Sequence, residues 1–288
     1  MIVRIARFIF RLVATRQAYK FFIKDWTELT DLHTAAFVSS TMRFSQNLQP
    51  LVMNNPLQDN ILVIAPHPDD EIIGPGGTLI KCLNLGKKVQ VIHLTNGDPA
   101  HRVVNEAKAV AEGLGFETFS LDLPVLNIPI DTESLQACAR IINNIKPKCI
   151  FIPFLLDDHD DHRRASEFLY TLVKKEFINT RSIEIWGYQV YTALPPNVIV
   201  DITDVAEKKS NAIKKFKSQM EKQDYAHYSL GLNAFNSRFL KGKGPLPKYV
   251  ETFFVLPYDE YEKLCEYYFE NPKNAYYSKN YTSPPNCK

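Results

Sequence analysis

Several features that would place the chain at a glance are missing from it. No uninterrupted apolar run approaches the roughly 20 residues of a helical bilayer span. No two cysteines have the C-x-x-C spacing, and the five present, Cys82, Cys138, Cys149, Cys265 and Cys287, are odd in number and scattered. This argues against a zinc finger or a disulfide framework and predicts reduced thiols, packed mostly as small apolar residues, in a cytoplasmic protein. There is no low-complexity tract, no internal repeat and no linker marked enough to divide the chain. A formal charge of only +2 gives no electrostatic case for a nucleic-acid partner. What remains, 45% hydrophobic and 23% charged residues over 288 positions, is the balance of a soluble globular protein large enough to bury a substantial core.

The first residues, "MIVRIARFIFRLVATRQAYKFF", stand apart. On a helix Arg4, Arg7 and Arg11 form one cationic stripe, with Ile5, Phe8, Ile9, Leu12 and Val13 around the remainder. The arginines interrupt the apolar region and no clean small-residue cleavage site follows, unlike a secretory signal. Two readings fit residues 1–24: a helix lying on the anionic inner face of a membrane, or one docked on the rest of the chain or on another subunit. Residues 1–50 are expected to be a helical appendage, and oligomeric state is left open.

From residue 61 the pattern becomes strand, loop, helix, repeated. "NILVIAP" and "KCIFIPF" read as buried strands and "KKVQVIHLT" as a strand between them in sequence, with "FETFSLDLP" a short extended segment and "IEIWGYQVY" extended as well. "TLIKCLNLG", "RVVNEAKAVAEGLG", residues 132–145 and "HRRASEFLYTLVKKEF" read as the helices between them. This alternation predicts an α/β, Rossmann-like domain over 51–223, with a mostly parallel sheet flanked by helices. In "DITDVAEKKSNAIKKFKSQM", Asp204 is placed to cap a helix whose lysine-rich face would meet solvent. Residues 224–288, rich in Tyr, Asn, Pro and Phe and containing the loop "KGKGPLP", are expected to be an irregular extension that shapes the substrate pocket.

Two charged clusters follow buried strands directly. In His67-Pro68-Asp69-Asp70-Glu71, a histidine and an aspartate three positions on can reach one metal, leaving other carboxylates for proton transfer; the same acids would also suit the N-terminal dipole of the next helix. In "DDHDDHRRAS", residues 157–166, His159 and His162 lie three apart among Asp157, Asp158, Asp160 and Asp161, which alone could be a solvated acidic loop. Topology separates these readings. In open parallel α/β sheets ligands bind beyond the carboxyl ends of strands where strand order reverses. With the common order 3-2-1-4-5, the strands carrying the two clusters are neighbours at that reversal, and His, Asp and a second His form a three-ligand set with room for water. The glycines "GPGGT" do not form G-x-G-x-x-G and come too late after their strand for a dinucleotide fold; Gly76 and Gly77 instead suit close packing of a helix or substrate.

"APHPDDE" followed by "GPGGTL", then "TNGD", an arginine with "NEAKAVAEGLG", and H-x-D-H after a strand resembles the PIG-L/LmbE-like family of zinc-dependent N-deacetylases, over roughly 61–220. The resemblance implies that His67, Asp70 and His162 hold Zn2+ and that Asp69 is the general base. It implies that His159 stabilises the oxyanion or protonates the leaving amine, with Asp161 orienting it. Asp160 replaces a proline often found in that motif, which adds negative charge beside the site. Zinc is the first choice of metal, although iron or cobalt suits the same ligands. Family members act on N-acetylglucosaminyl groups, so the expected partner is an acetamido sugar or glycolipid. The same metal and base would also serve another amide or ester, and a catalytically idle sugar- or metal-binding protein is the reading from a different class.

Lesser candidates complete the set. Arg102 and Glu106 match family positions near the sugar pocket, and their spacing equally suits an ion pair on a helix surface. His93, within an apolar strand, reads as a core histidine. Asp98 and His101 could line the crevice, and His227 is either a substrate-side residue or surface.

Overall fold

The computed structural model describes residues 49–97, 102–179, 183–240 and 248–270. The N-terminal amphipathic segment, Asp98, His101, Cys287 and the "KGKGPLP" loop lie outside the described residues. In chain order the elements begin with β1 (Leu51–Met53), β2 (Asn60–Ala65), α1 (Asp70–Ile73), α2 (Gly76–Asn84), β3 (Lys88–Thr95) and α3 (Arg102–Leu114). They continue with β4 (Glu117–Leu123), α4 (Thr132–Ile145), β5 (Cys149–Pro153), α5 (Asp160–Lys174), β6 (Glu184–Tyr188) and β7 (Val198–Asp201). The last are α6 (Ala206–Ile213), α7 (Lys217–Met220), α8 (Tyr225–Asn236), a 3-10 turn (Ser237–Phe239), β8 (Val250–Pro257) and α9 (Tyr258–Phe269).

The strands form one sheet in the order β1-β7-β8-β6-β5-β2-β3-β4. Every pairing is parallel except those of β8, which runs antiparallel between β6 and β7. Alternation along β2 builds the two layers on either side. Leu62 and Ile64 face a core supplied by α4, α5 and α9, while Ile61, Val63 and Ala65 face one supplied by α1, α2, α3, α6 and α8. With both faces covered, β2 and β5 are continuously apolar, which is why their sequences show no polar alternation. Local signals agree with these elements: Asp131 caps α4 by accepting the Ser134 N–H at 2.8 Å, and Lys146, with φ 51°, ends it just before Pro147. The four described cysteines are buried free thiols. Among the described residues no helix is long and apolar enough to cross a membrane.

From β2 to β6 the strand order is the anticipated 3-2-1-4-5, so β2 and β5 are adjacent at the reversal. The later part of the chain differs from the sequence reading. Residues 250–257 form an internal strand of the main sheet rather than an irregular extension, and "ETFFVLP" owes its apolar run to that position. Asp204 caps nothing: α6 starts after Val205 without a side-chain cap, and Asp204 instead pairs with Lys81 at 3.3 Å.

The lysine-rich segment also hides one lysine from solvent. Lys209 is 0% exposed, and its Nζ donates to Glu251 Oε1 (2.8 Å), the Gly74 carbonyl (2.9 Å) and Asn233 Oδ1 (3.1 Å). Glu251, on β8, in turn accepts the N–H groups of Gly77 and Thr78 at 2.7 Å each and the Thr78 hydroxyl at 2.6 Å. It thereby satisfies orphan donors in the first turn of α2, while Lys209 balances its charge. Gly77 also lets this turn pack against Ile202, since a Cβ there would lie 2.7 Å from Ile202 Cδ1. Removing one partner of a buried ion pair leaves the other uncompensated. Lys209→Met is therefore expected to lower unfolding stability by about 3–5 kcal/mol in urea titration; a loss below about 1 kcal/mol would contradict this role.

Candidate active site

The first cluster is assembled where β2 gives way to α1. Pro66 is fixed by two bonds from Thr95 at the end of β3, whose N–H and hydroxyl donate to its carbonyl at 3.0 and 2.9 Å. Asp69 then adopts φ 148°, ψ −26°, a conformation that few side-chain-bearing residues tolerate. The buried Glu71 supports it: Oε2 accepts the Asp69 N–H at 3.0 Å and lies 3.2 Å from Nε2 of His93 in β3. His93 is thus a core histidine in contact with the loop, as expected. The sharp turn brings Asp70 back under His67, whose N–H donates to Asp70 Oδ2 at 2.9 Å and whose Nδ1 lies 3.1 Å from the same oxygen.

The second cluster starts α5. His159 is the N-cap, and its Nδ1 accepts the Asp161 N–H at 3.2 Å. One turn in, His162 is fully buried with Nε2 3.3 Å from Asp70 Oδ2 and Nδ1 3.0 Å from Asp157 Oδ1. Asp157 is itself held by the N–H groups of His159 (3.1 Å), Tyr191 (3.1 Å) and Thr192 (3.3 Å). The Tyr191 ring stacks on His162, 13° from parallel at 5.4 Å. Arg163 binds the Asp157 carbonyl and the Asp160 carboxylate, so the extra charge of Asp160 is paired away from the histidines.

The two clusters meet as topology anticipated, but one partnership differs. The Asp161 carboxylate does not orient His159. Its Oδ2 takes the Nε2 hydrogen of His67 at 2.9 Å and the Leu126 N–H at 2.8 Å, while only its backbone N–H serves His159. The reason is helical geometry: an N-cap side chain folds over the first turn to accept from the residue two on, and that residue's own side chain projects elsewhere, here toward β2. Asp157 and Tyr191 are supporting residues beyond those expected from the sequence. A sequence signal exists for both, since Asp157 lies past the carboxyl end of β5 at the sheet's reversal and Tyr191 past that of the neighbouring β6.

Electrostatics follow from packing charges out of water. Burial opposes a charge on His67, but its hydrogen bonds to Asp161 and Asp70 outweigh this and raise its pKa to about 9. Burial likewise opposes charge on His162, and Asp70 and Asp157 together lift it to about 10. Against the upward push of burial, the two imidazoles hold Asp70 well below the usual carboxylate range. Asp69 moves the other way, pushed well above that range by burial and by the neighbouring charge of Asp70. Burial and the nearby His162 and His67 depress His159 to about 4, leaving it neutral.

His162 Nε2 is buried without a hydrogen-bond partner, although it faces Asp70 and lies near His67. The Asp70 oxygen stands 3.1 and 3.3 Å from nitrogens of His67 and His162. Ligands of one tetrahedral zinc, with bonds of ~2.0–2.2 Å, keep roughly that spacing. His159 brings a further nitrogen within 4.8 Å of those of the other two histidines. The residues therefore fit a small divalent cation.

Residues 62–173 match the profile of PIG-L: GlcNAc-PI de-N-acetylase. Over 197 residues, 58% of this chain and 73% of the relative, the sequence is 30% identical to diacetylchitobiose deacetylase of Thermococcus kodakarensis. The chain belongs to the PIG-L family of N-deacetylases. The fold agrees: N,N'-diacetylchitobiose deacetylase of Pyrococcus horikoshii superposes with a TM-score of 0.60 at 24% identity, covering 80% of this chain and 94% of that one. The 4-carboxy-2-hydroxymuconate hydratase of Pseudomonas putida KT2440 superposes almost as well, with a TM-score of 0.57 at 19% identity over 71% of this chain and 96% of its own. The PIG-L architecture alone thus does not select a reaction, and the side chains must.

The remaining candidates fall outside the constellation. Arg102 reaches Glu221 at 3.5 Å rather than Glu106, which accepts the Ser218 N–H (3.0 Å) and hydroxyl (2.6 Å) and ties α3 to α7. His227 is exposed on α8. Because a carboxylate behind a metal-ligating histidine fixes its orientation, Asp157→Ala is expected to weaken any divalent-metal binding at this junction ~10–100-fold in chelator competition while the fold persists; unchanged affinity would remove Asp157 from the site.

Proposed function

We propose that this PIG-L protein is a metal-dependent hydrolase that removes the N-acetyl group from an acetamido sugar of the N-acetylglucosaminyl type. The observation that carries the proposal is the buried meeting of His67, Asp70 and His162 around one Asp70 oxygen, 3.1 and 3.3 Å from the two imidazoles, with a carboxylate of raised pKa, Asp69, next to it. His67, Asp70 and His162 would hold the cation, zinc being the first choice for this His/Asp set. Such an ion, when bound, supplies Lewis acidity that makes water nucleophilic near neutral pH and draws charge from the acyl oxygen.

The protein's own groups divide the rest of the work. Asp69 accepts the proton of the attacking water, for which a carboxylate with a pKa moved toward neutrality is better matched than an ordinary one. The Glu71 bond to its backbone keeps that carboxylate at the end of the strained turn. His159 is neutral, and because Nδ1 accepts from the Asp161 N–H, its hydrogen sits on Nε2. It is thus a donor, suited to the developing oxyanion or to hydrogen-bonding the departing nitrogen. Asp161 and Asp157 position His67 and His162. The C–N bond breaks, the acetyl group leaves as acetate carrying the water oxygen, and the proton taken by Asp69 passes to the amine.

The test is acetate release from N-acetylglucosaminyl glycosides and chitooligosaccharides by chelated and zinc-reconstituted protein. Asp69→Asn is expected to retain bound metal yet lose turnover ~10²–10⁴-fold, while His162→Ala loses the metal. Equal activity in chelated and reconstituted protein, or an Asp69→Asn variant within tenfold of the parent, would sink the mechanism. Activity on other acyl substrates alone would shift the assignment to a different amide or ester.

A further inference from the structure

The acyl chemistry uses side chains that follow β2 and β5 and leaves the β6 side of the crevice without a task. Tyr191 follows β6 and lies flat against the histidines, its ring 13° from parallel with His162 at 5.4 Å and 27° from parallel with His159 at 6.1 Å. Its hydroxyl is hydrogen-bonded to that of Tyr225, the first residue of α8. Tyr225 stands in the field of the candidate base: burial raises its pKa most, and the Asp69 carboxylate is the next cause. The helix beneath it is firmly placed. Asp224 caps α8 by accepting the His227 N–H at 2.9 Å, Ala226 is buried, and the Ser229 hydroxyl donates to the Ile73 carbonyl at 2.8 Å, tying α8 to the end of α1.

The tyrosines of this region differ in what their hydroxyls already do. Tyr188 is fully buried and donates to the Ile64 carbonyl at 3.2 Å, and Tyr228 donates to the carbonyls of Val190 and Tyr191 at 3.0 and 3.3 Å. Both are held by the backbone. Tyr191 and Tyr225 are half-buried, and among the described residues their hydroxyls bond to each other alone. Two phenols carry two hydrogens, and their mutual bond uses one. The other hydrogen and the remaining lone pairs can meet a group that both donates and accepts, as an alcohol does. In a glycoside whose acetamido group lies beside Asp69, the neighbouring ring carbons are the anomeric carbon and the one bearing the 3-hydroxyl. The anomeric oxygen is substituted and has no hydrogen, so the 3-hydroxyl is the alcohol adjoining the reacting amide.

We propose that Tyr225, oriented by the Tyr191 hydroxyl, binds the 3-hydroxyl of the acetamido sugar and is a specificity-determining residue of the site. This rests on the deacetylase reading above. The test compares the methyl β-glycoside of N-acetylglucosamine with its 3-deoxy analogue on the zinc-reconstituted full chain. The parent protein is expected to favour the 3-hydroxylated glycoside in kcat/KM by about tenfold or more, because the analogue leaves the phenol pair unmatched. In Tyr225→Phe, which keeps the ring on α8 and removes only its hydroxyl, the ratio should fall below about twofold, through loss on the hydroxylated glycoside alone. In Tyr191→Phe it should fall as well. A parent ratio near one, or a ratio unchanged in either variant, would overturn the assignment; a purely structural role of the hydroxyls would slow both glycosides equally and so leave the ratio unchanged. If neither glycoside is hydrolysed the deacetylase reading fails, and calorimetric binding of the same two glycosides then decides the subsite: a tenfold preference lost in Tyr225→Phe supports it, and equal binding overturns it.

Discussion

One carboxylate oxygen, Oδ2 of Asp70, lies within 3.1 Å of His67 and 3.3 Å of His162, and the surrounding structure answers to that meeting. Two imidazoles and an acid cannot be withdrawn from water without further partners. Each histidine accordingly has a second carboxylate behind it, Asp161 for His67 and Asp157 for His162. Those carboxylates are in turn held by backbone N–H groups of Leu126, His159, Tyr191 and Thr192. The parallel pairing of β2 with β5 is what lets segments so distant in sequence supply the two halves.

Asp69 shows how the same arrangement separates roles among neighbouring acids. Asp70 is held ionised by the histidines, and its charge, together with burial, pushes the adjacent Asp69 toward protonation. Two side chains of one kind thus become a candidate ligand and a candidate base by position alone. The backbone that allows this is strained at Asp69, by roughly 1–3 kcal/mol, and is held by Glu71 from one side and by α1 from the other. Further along, Lys209 fixes the Gly74 carbonyl at the end of α1 and Glu251 anchors the start of α2. The C-terminal strand β8 is therefore part of what holds the loop carrying His67 and Asp70, although none of its residues belongs to the candidate ligand set.

Much of this was legible in the sequence because it depends on local pattern. Apolar runs with intervening amphipathic segments predicted the strands and helices from 61 to 191, and the position of "HPDDE" and "HDDH" after two such runs predicted their convergence. What was not legible depends on pairing. "ETFFVLP" looks like any buried segment until β6 and β7 are seen to need a strand between them. Lys209 resembles its solvated neighbours Lys208 and Lys214, and only the acid on β8 explains its burial. Asp161 stands beside His159 in the chain, yet its carboxylate serves His67, since adjacency in sequence does not fix which way a side chain leaves the first turn of a helix.

The architecture shared with a hydratase means that the side chains, rather than the sheet, must carry the functional argument. In the proposed reading His67 and Asp70, after β2, and His162, after β5, bind one metal ion between them. Anomalous diffraction at the zinc edge on crystals of the zinc-loaded full chain tests this directly. A single peak bonded to His67, Asp70 and His162 is expected, with Asp69 unbound beside it. A peak on other side chains, or none at this junction in zinc-loaded crystals, would contradict it.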